Sequence, residues 1–381
     1  MKWVTIWGNA QSTVLPQPAI YAKNLTLRYP IFIPFNGNKV RITLDNFCCN
    51  EKVEIESVYL SMGKSLSDEQ MSQSIPLTVN GKSQFKIESH SSIVSDSLDF
   101  EAIEGMYLII SMYIKNCTNL TSGVDIIGPL SKGYFAYGNQ ALSSRLDINT
   151  SKSTSWVYFL ANIDIFTEED KEAIICYGDS ITSQDWPDYL LLALREKGFK
   201  NLSVVRKAVS GTRILREYNC ITYQSYGKHG YHRFIHEVSS VSGAKKIIIQ
   251  HGINDIIHPV GVEVNPFRPM TDLPTAAELI EGLKYYGVEA GKLGLEVYYG
   301  SLLPIYGWRT YAPFREKLKN EVNTWIRKQS HIDFENAIGK LQDDAFHFKE
   351  NCDSGDHLHP SKYAYKQMGV LAFQVLMNHK K

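Results

Sequence analysis

The stretch Ala173-Ile174-Ile175-Cys176-Tyr177-Gly178-Asp179-Ser180-Ile181 decides how the second half of the chain folds. It begins as an apolar run of strand length and ends in turn-forming residues. A strand without a polar face is typical of a parallel sheet that helices cover on both sides. Ser180 follows the predicted carboxyl end of this strand, at the edge where doubly wound sheets bind their ligands.

Strands and helices alternate after this stretch. The further strands predicted from apolar runs are Leu202–Arg206, Lys246–Gln250, Leu295–Leu302 and the short His331–Phe334. The predicted helices are Trp186–Lys197, Ala276–Lys292, Phe314–Lys328 and Lys362–Met377. This alternation predicts an α/β fold with a parallel sheet between helices.

The first 165 residues have a different pattern. Lys39–Leu44 alternates polar and apolar side chains, as in a strand with one face in water. Asn36–Asn38 and Asn80–Gly81 are typical hairpin turns. Short β-rich runs recur at Ile31–Pro34, Lys39–Leu44, Val53–Ser61, Ser83–Ile87 and Met106–Tyr113. We therefore expect an antiparallel β-sandwich (jelly-roll-like) domain over residues 1–165 and a second domain over residues 172–381.

Composition and charge exclude several classes of protein. The 381 residues include 40 Lys and Arg against 40 Asp and Glu, so there is no electrostatic basis for binding nucleic acid or an anionic membrane. No apolar run reaches the roughly 18 residues of a spanning helix. The first residues lack the features of a signal peptide, and the 6 cysteines fit neither a zinc nor a disulfide pattern. We expect a cytoplasmic protein, or a secreted one whose start was processed or re-engineered.

Three short motifs carry reactive side chains in a fixed order. They are Gly178–Ile181, Gly252–Asp255 and Asp356–Pro360. A serine nucleophile needs a histidine base, and that base needs a carboxylate to orient it. Ser180, His359 and Asp356 supply these groups, and the spacing of three between Asp356 and His359 lets one side chain reach the other.

Donors for an oxyanion are predicted at the same edge of the sheet. Gly211 follows the second strand, and Asn254 follows the third. Their N–H and amide groups, with the N–H of Ser180, form the kind of donor set that stabilises a tetrahedral oxyanion. Each residue also has an ordinary interpretation: Ser180 as a helix cap, Gly211 as a loop glycine and Asn254 as an Asx-turn.

A metal site is the other interpretation of the histidine-rich motif. Its ligands would be His347, Asp356, His357 and His359, but no ligand spacing supports it. We therefore expect no metal and no cofactor.

The motifs resemble those of the SGNH hydrolases, also called the GDSL esterase/lipase family, which is named after Ser, Gly, Asn and His in four blocks. The resemblance implies that Ser180 is the nucleophile and first oxyanion donor, and that His359 is the base with Asp356 as its partner. Gly211 and Asn254 would be the second and third donors. It also implies a three-layer α/β/α (flavodoxin-like) domain around a sheet of five parallel strands.

Two further features bear on this resemblance. Trp3–Trp7 is similar to the first strand of two-domain bacterial members, which carry a β-sandwich before the hydrolase domain. The second block departs from the family pattern, because Arg206 and Ala208 stand where Asn and the first Gly are usual. Only Gly211 is kept from that block.

The function implied is hydrolysis of short-chain carboxylic esters, including carbohydrate O-acetyl groups, by Ser-His-Asp acyl transfer. The substrate would be a small-molecule or carbohydrate ester, and Asp179 and Trp308 are candidate substrate-binding residues. One alternative is a lysophospholipase or thioesterase that uses the same triad. The other is a non-catalytic carbohydrate-binding protein, which the intact Ser180, Asp356 and His359 disfavour. The sequence does not determine the oligomeric state.

Overall fold

The computed structural model describes residues 1–13, 21–126 and 128–378, and the chain divides into two compact units. The first comprises Met1–Ala173, Lys200–Val205 and Val241–Gly243, and the second Ile174–Phe199, Arg206–Ser240 and Ala244–Lys381. The limits 1–165 and 172–381 stay a prediction.

The first unit consists of antiparallel β structure. Its largest sheets have the strand orders β16-β15-β4-β12-β7-β8 and β1-β18-β5-β10, with β11 also paired to β5. The buried side chains Val40, Ile42 and Leu44 alternate along β5 with more exposed ones, as the sequence pattern predicts. The jelly-roll-like connectivity stays a prediction. The strands are β1 (Lys2–Gly8), β2 (Ser12–Thr13), β3 (Tyr21–Ala22), β4 (Leu25–Phe32), β5 (Gly37–Asp45), β6 (Val53–Ile55), β7 (Ser57–Gly63), β8 (Ile75–Leu77), β9 (Phe85–Ile87), β10 (Ser92–Val94), β11 (Leu98–Ala102), β12 (Tyr107–Ile114), β13 (Thr118–Asn119), β14 (Ser122–Asp125), β15 (Gly133–Tyr137), β16 (Ser151–Thr154), β17 (Trp156–Tyr158) and β18 (Leu160–Thr167).

The chain from Glu172 onward forms a three-layer α/β/α fold around a parallel sheet of five strands, as predicted. The strand order is β20-β19-β21-β22-β23. Its strands are β19 (Glu172–Gly178), β20 (Leu202–Ala208), β21 (Ala244–Gln250), β22 (Glu296–Gly300) and β23 (His331–Ile332), and a hairpin of β24 (Gly339–Gln342) and β25 (Ala345–Phe348) follows. Numbered within the sheet the order is 2-1-3-4-5, the flavodoxin-like order, whose switch point lies between its first and third strands.

Helices form the two outer layers. Helix α2 packs against α8, while α5 packs against both α3 and α6. The helices are α1 (Ser180–Ser183), α2 (Trp186–Glu196), α3 (Gly230–Ser239), α4 (Ile253–Ile257), α5 (Ala276–Lys292), α6 (Pro313–Ile326), α7 (Phe334–Ile338) and α8 (Lys362–Asn378). None of the helices in the described ranges has both the length and the apolar character needed to span a membrane.

The structure corrects some of the predicted elements. Phe334, predicted to end the fifth strand, begins α7 instead, because Asp333 caps that helix by accepting the N–H of Asn336 at 3.3 Å. Val53–Ser61 is two strands rather than one, since β6 ends at Ile55. Helices α3 and α4 were not predicted.

Candidate active site

The candidate nucleophile lies at the turn between β19 and α1. Asp179 caps α1 by accepting the N–H of Ile181 at 3.1 Å, which makes Ser180 the first helical residue. Gly178 permits the tight turn, because a β-carbon there would lie 2.3 Å from the Gln250 carbonyl oxygen. The turn leaves Ser180 partly exposed at the carboxyl edge of the sheet.

Ser180, His359 and Asp356 form a continuous hydrogen-bonded chain. The Ser180 Oγ lies 2.9 Å from His359 Nε2, and His359 Nδ1 lies 2.6 Å from Asp356 Oδ2. Because a carboxylate oxygen accepts, His359 Nδ1 is the donor to Asp356, and Nε2 is left to accept the hydroxyl proton of Ser180. This is the arrangement that lets a histidine act as a general base toward a serine.

The backbone of the motif reinforces the charge on Asp356. Its Oδ1 accepts the N–H groups of Leu358 at 2.9 Å and His359 at 2.8 Å. Partial burial opposes ionisation, but the bonds from the His359 ring and from these two N–H groups outweigh it and lower the Asp356 pKa. The carboxylate is therefore ionised at neutral pH and able to hold the imidazole in one tautomer.

The turn that carries His359 is held in a strained conformation. His357 has φ of +63°, which is unusual for a residue other than glycine. Asp353 stabilises the turn, because its Oδ1 accepts the N–H groups of Gly355 at 2.8 Å and His357 at 3.0 Å. These bonds fix the backbone between Asp356 and His359 in the geometry that aligns their side chains.

Two backbone donors are available near the nucleophile. Among the described residues, the N–H groups of Ser180 and Gly211 donate to no other group of the chain. Gly211 has φ of +79°, and a β-carbon there would lie 2.2 Å from the Tyr226 ring. The Ser183 hydroxyl bonds the Ser180 carbonyl at 3.0 Å and the Ser210 hydroxyl at 3.2 Å, so it ties the nucleophile turn to the Gly211 loop.

Asn254 is buried in the same region and holds the loop of Gly211. Its Nδ2 donates to the Thr212 carbonyl at 3.0 Å, and His251 Nε2 donates to the same oxygen at 3.2 Å. An amide nitrogen has two protons, so one remains for a substrate oxyanion. Its role as third donor stays a prediction.

A comparison with family models covers the part of the chain that contains Ser180, Asp356 and His359. The family model described as GDSL-like Lipase/Acylhydrolase matches residues 153–371, more than half of the chain. The chain belongs to the GDSL-like lipase/acylhydrolase family. This GDSL hydrolase is therefore a carboxylic ester hydrolase, as the sequence motifs predicted.

Solved structures similar to this GDSL hydrolase are remote. A GDSL-like lipase from Bacteroides thetaiotaomicron is 15% identical, covers 56% of this chain and 91% of its own, and has a TM-score of 0.38. An acetylxylan esterase from Geobacillus stearothermophilus is 16% identical, covers 54% and 94%, and has a TM-score of 0.39. No curated protein matches the chain.

The unusual second block of this GDSL hydrolase has a structural explanation. Arg206, which replaces the usual Asn, is buried and donates to the Ser183 carbonyl at 2.7 Å. It also pairs with Asp188 in α2. Arg206 therefore supports the helix that begins with Ser180 from inside the domain.

Two residues that hold the loop after Gly211 were not predicted from the sequence. Buried Asp255 accepts the N–H groups of Ile214 at 2.8 Å and Leu215 at 3.1 Å, and burial raises its pKa to about 6. Arg213 bonds Asp272 at 3.1 Å. Both residues hold the loop after Gly211. An acid next to Asn254 at the end of an apolar strand was a signal that could have identified Asp255.

The two candidate substrate-binding residues have different surroundings. Asp179 is fully buried, and burial raises its pKa to about 7. Its Oδ2 has no hydrogen-bond partner. Trp308 is half-buried in the loop after β22, and its indole Nε1 also lacks a partner. Gly307 brings this loop against the His357 ring, so Trp308 lies close to the histidine turn. Binding of substrate by either residue stays a prediction.

Proposed function

We propose that this GDSL hydrolase cleaves short-chain carboxylic esters, including acetyl groups on carbohydrates, with Ser180 as nucleophile. The observation that carries the proposal is the chain of hydrogen bonds from Ser180 Oγ through His359 to Asp356, at 2.9 and 2.6 Å. A serine within hydrogen-bonding distance of an imidazole that a carboxylate orients is the arrangement that acyl transfer requires.

The reaction proceeds in two steps. His359 Nε2 takes the Ser180 proton while Oγ attacks the ester carbonyl, and Asp356 stabilises the imidazolium. The tetrahedral intermediate collapses, His359 gives its proton to the leaving alcohol, and an acyl-serine remains. Water then attacks this ester with His359 again as base, and the acid and the free Ser180 hydroxyl are released.

The developing oxyanion is assigned to three donors. The unpaired N–H groups of Ser180 and Gly211 support this assignment, and so does the second amide proton of Asn254. Loss of one such donor typically lowers kcat on the order of 100- to 1,000-fold. No metal or organic cofactor takes part in these steps.

A short acyl group is favoured by the ring against Gly211. Tyr226 lies so close that no β-carbon fits between them. His258 stacks on Tyr226 with ring centroids 5.4 Å apart, and the Tyr218 hydroxyl bonds His258. This packed aromatic group limits the space beside the second oxyanion donor. The methyl group of an acetyl ester fits in a small space, whereas a long acyl chain would have to extend away from the Tyr226 ring.

A carbohydrate alcohol is favoured by the aromatic loop after β22. Tyr306 is exposed and packs edge-on against Tyr311, with centroids 4.9 Å apart. Trp308, in the same loop, is half-buried, and its indole Nε1 is enclosed without a partner. An exposed aromatic ring suits the apolar face of a sugar.

The test compares wild type, Ser180→Ala and the matched control Ser239→Ala on p-nitrophenyl esters. Ser239 is an exposed serine at the end of α3. We expect turnover of the acetate by wild type and Ser239→Ala, and background rates for Ser180→Ala. Equal activity of all three proteins would show that Ser180 is not the nucleophile.

A ladder of acyl chains separates the alternatives. Rates that fall steadily beyond butyrate support the short-chain assignment, while a maximum at long chains supports a lysophospholipase or thioesterase. Release of acetate from an acetylated oligosaccharide then tests whether the enzyme removes acetyl groups from carbohydrates. Binding of that oligosaccharide without any turnover would support the non-catalytic alternative.

A further inference from the structure

Three side chains outside the triad form a group with metal-ligand chemistry. Glu217, His229 and His232 each offer one ligand atom, and the three atoms lie within 4.8 Å of one another. Two imidazoles and one carboxylate are a donor set that Zn²⁺ accepts while keeping one position open. The proposed chemistry of ester hydrolysis uses none of these three residues.

Local structure explains why the group forms. His229 is the N-cap residue of α3 and His232 is in its first turn, so the two histidines are three positions apart and lie on one side of the helix. Their ring centroids are 6.1 Å apart. Glu217 lies in the loop after β20, and its Oε2 accepts the backbone N–H of His229 at 3.4 Å.

The His229 ring has a buried atom that the fold does not use. Its Nδ1 is inaccessible to solvent and has no hydrogen-bond partner. Buried polar atoms are normally hydrogen-bonded, so an exception calls for an explanation. A metal ion bound to the His229 ring would explain the unpaired atom, and so would a proton shared between Nδ1 and a neighbouring side chain.

Charges around the group permit a cation. The start of a helix carries partial positive charge, which opposes a metal ion, but the Glu217 carboxylate offsets it. In the structure the Lys228 ammonium group forms an ion pair with Glu217, with Nζ 3.3 Å from Oε1. Lys228 has a flexible stem at the protein surface, so it can turn into solvent when an ion takes its place.

An open cavity leads to the group. It has a volume of about 460 Å³, and Glu217 and His229 line it together with Asn219, Asp272 and Phe267. An ion can therefore approach the side chains of Glu217 and His229 from solvent, and the cavity has room for water or a small anion as a further ligand.

We propose that Glu217, His229 and His232 bind one divalent transition-metal ion of zinc type. The ion would tie the loop that begins just after Gly211 to the first turn of α3. Its function would be to order this loop, with no part in the chemical step.

Metal titration of the full chain tests the proposal. Chelator-treated and dialysed protein is titrated with Co²⁺, whose visible absorption reports binding in a low-coordinate site, and with Zn²⁺ in a calorimeter. The variants are His232→Gln and Glu217→Gln, and the matched control is His236→Gln, which lies one turn further along α3. Circular dichroism verifies that each variant is folded.

We expect one equivalent of metal to bind to wild type and to His236→Gln. Both ligand variants should bind at least about 10-fold more weakly, since even changes outside the ligand set cost 10- to 100-fold. Absence of binding at metal concentrations up to about 1 mM, at which even a weak site would fill, would overturn the proposal. Binding that is equal in all four proteins would overturn it as well, because the ion would then lie elsewhere. Neither result depends on esterase activity.

Discussion

Replacement of Gly211 by alanine tests whether the backbone after β20 supplies an oxyanion donor. A β-carbon here would lie 2.2 Å from Cδ1 of Tyr226, on a backbone with φ of +79°. Carbon atoms in contact are about 3.5–4.0 Å apart. The ring or the loop must therefore move by more than about 1 Å, and a misplacement of that size near reacting groups costs roughly 100-fold in rate.

We expect kcat of Gly211→Ala for p-nitrophenyl acetate to fall on the order of 100- to 1,000-fold. KM should change less, because an oxyanion donor acts mainly in the transition state. Gly198→Ala is the matched control, since φ there is +83° and no atom lies within 4 Å of a β-carbon. Both variants carry left-handed strain of about 1–2 kcal/mol, visible as a lower Tm. Only Gly211→Ala should lose turnover.

A double variant separates the clash from the strain. In Gly211→Ala/Tyr226→Ala the ring is gone, so the loop can return to its position. We expect at least about 10-fold recovery of kcat relative to Gly211→Ala, measured as a double-mutant cycle. If folded Gly211→Ala keeps kcat within about threefold of wild type, the donor role of Gly211 is refuted.

Three other exchanges have defined outcomes. Asp356→Asn should lower kcat on the order of 100- to 10,000-fold, because the imidazole loses its tautomer and orientation; a rate near wild type in stopped assays at pH 7 would contradict this role. Tyr226→Ala alone should shift the preference among p-nitrophenyl esters toward longer acyl chains, and an unchanged ladder would show that the ring does not limit the acyl group. Asp179 has a folded pKa of about 7 and an unfolded pKa of about 4, so the folded state binds more protons between these values. The free energy of unfolding should therefore decrease as pH rises from about 4 to 7. Asp179→Asn keeps an oxygen to cap α1 and should lose this pH dependence in urea titrations, whereas an identical slope in both proteins would exclude Asp179 as its source.

The strands of the hydrolase domain were predictable because burial on both faces demands apolar runs. Ala173–Tyr177 and Lys246–Gln250 lie within β19 and β21. The predicted helix Ala276–Lys292 has the same bounds in the structure, since Thr275 and Glu278 form a capping box that the sequence contains locally. Short-range rules such as caps and turn residues operate within a few positions, so a sequence reveals them directly.

The order of the motifs along the chain, and the family they indicate, also came from sequence alone. Asp356 and His359 are three residues apart, so their contact needs only one turn of backbone. The parallel sheet brings Ser180 to them, because strands that run in one direction end at one edge. Ser180 is hydrogen-bonded to His359 and His359 to Asp356 in the structure. The catalytic roles of the three residues stay a prediction, which the Ser180→Ala assay tests.

Other features were decided only by tertiary structure. Tyr226 packs against Gly211, and Glu217 meets His229 and His232, through contacts between loops whose paths depend on how α3 and α5 pack. Helix α3 itself escaped prediction because it is short and rich in aromatic and histidine residues. Such contacts join positions far apart in the chain. They depend on how side chains fill the interior and on which hydrogen-bond partners each buried polar atom finds there. No local pattern encodes those quantities, so only the folded molecule determines them.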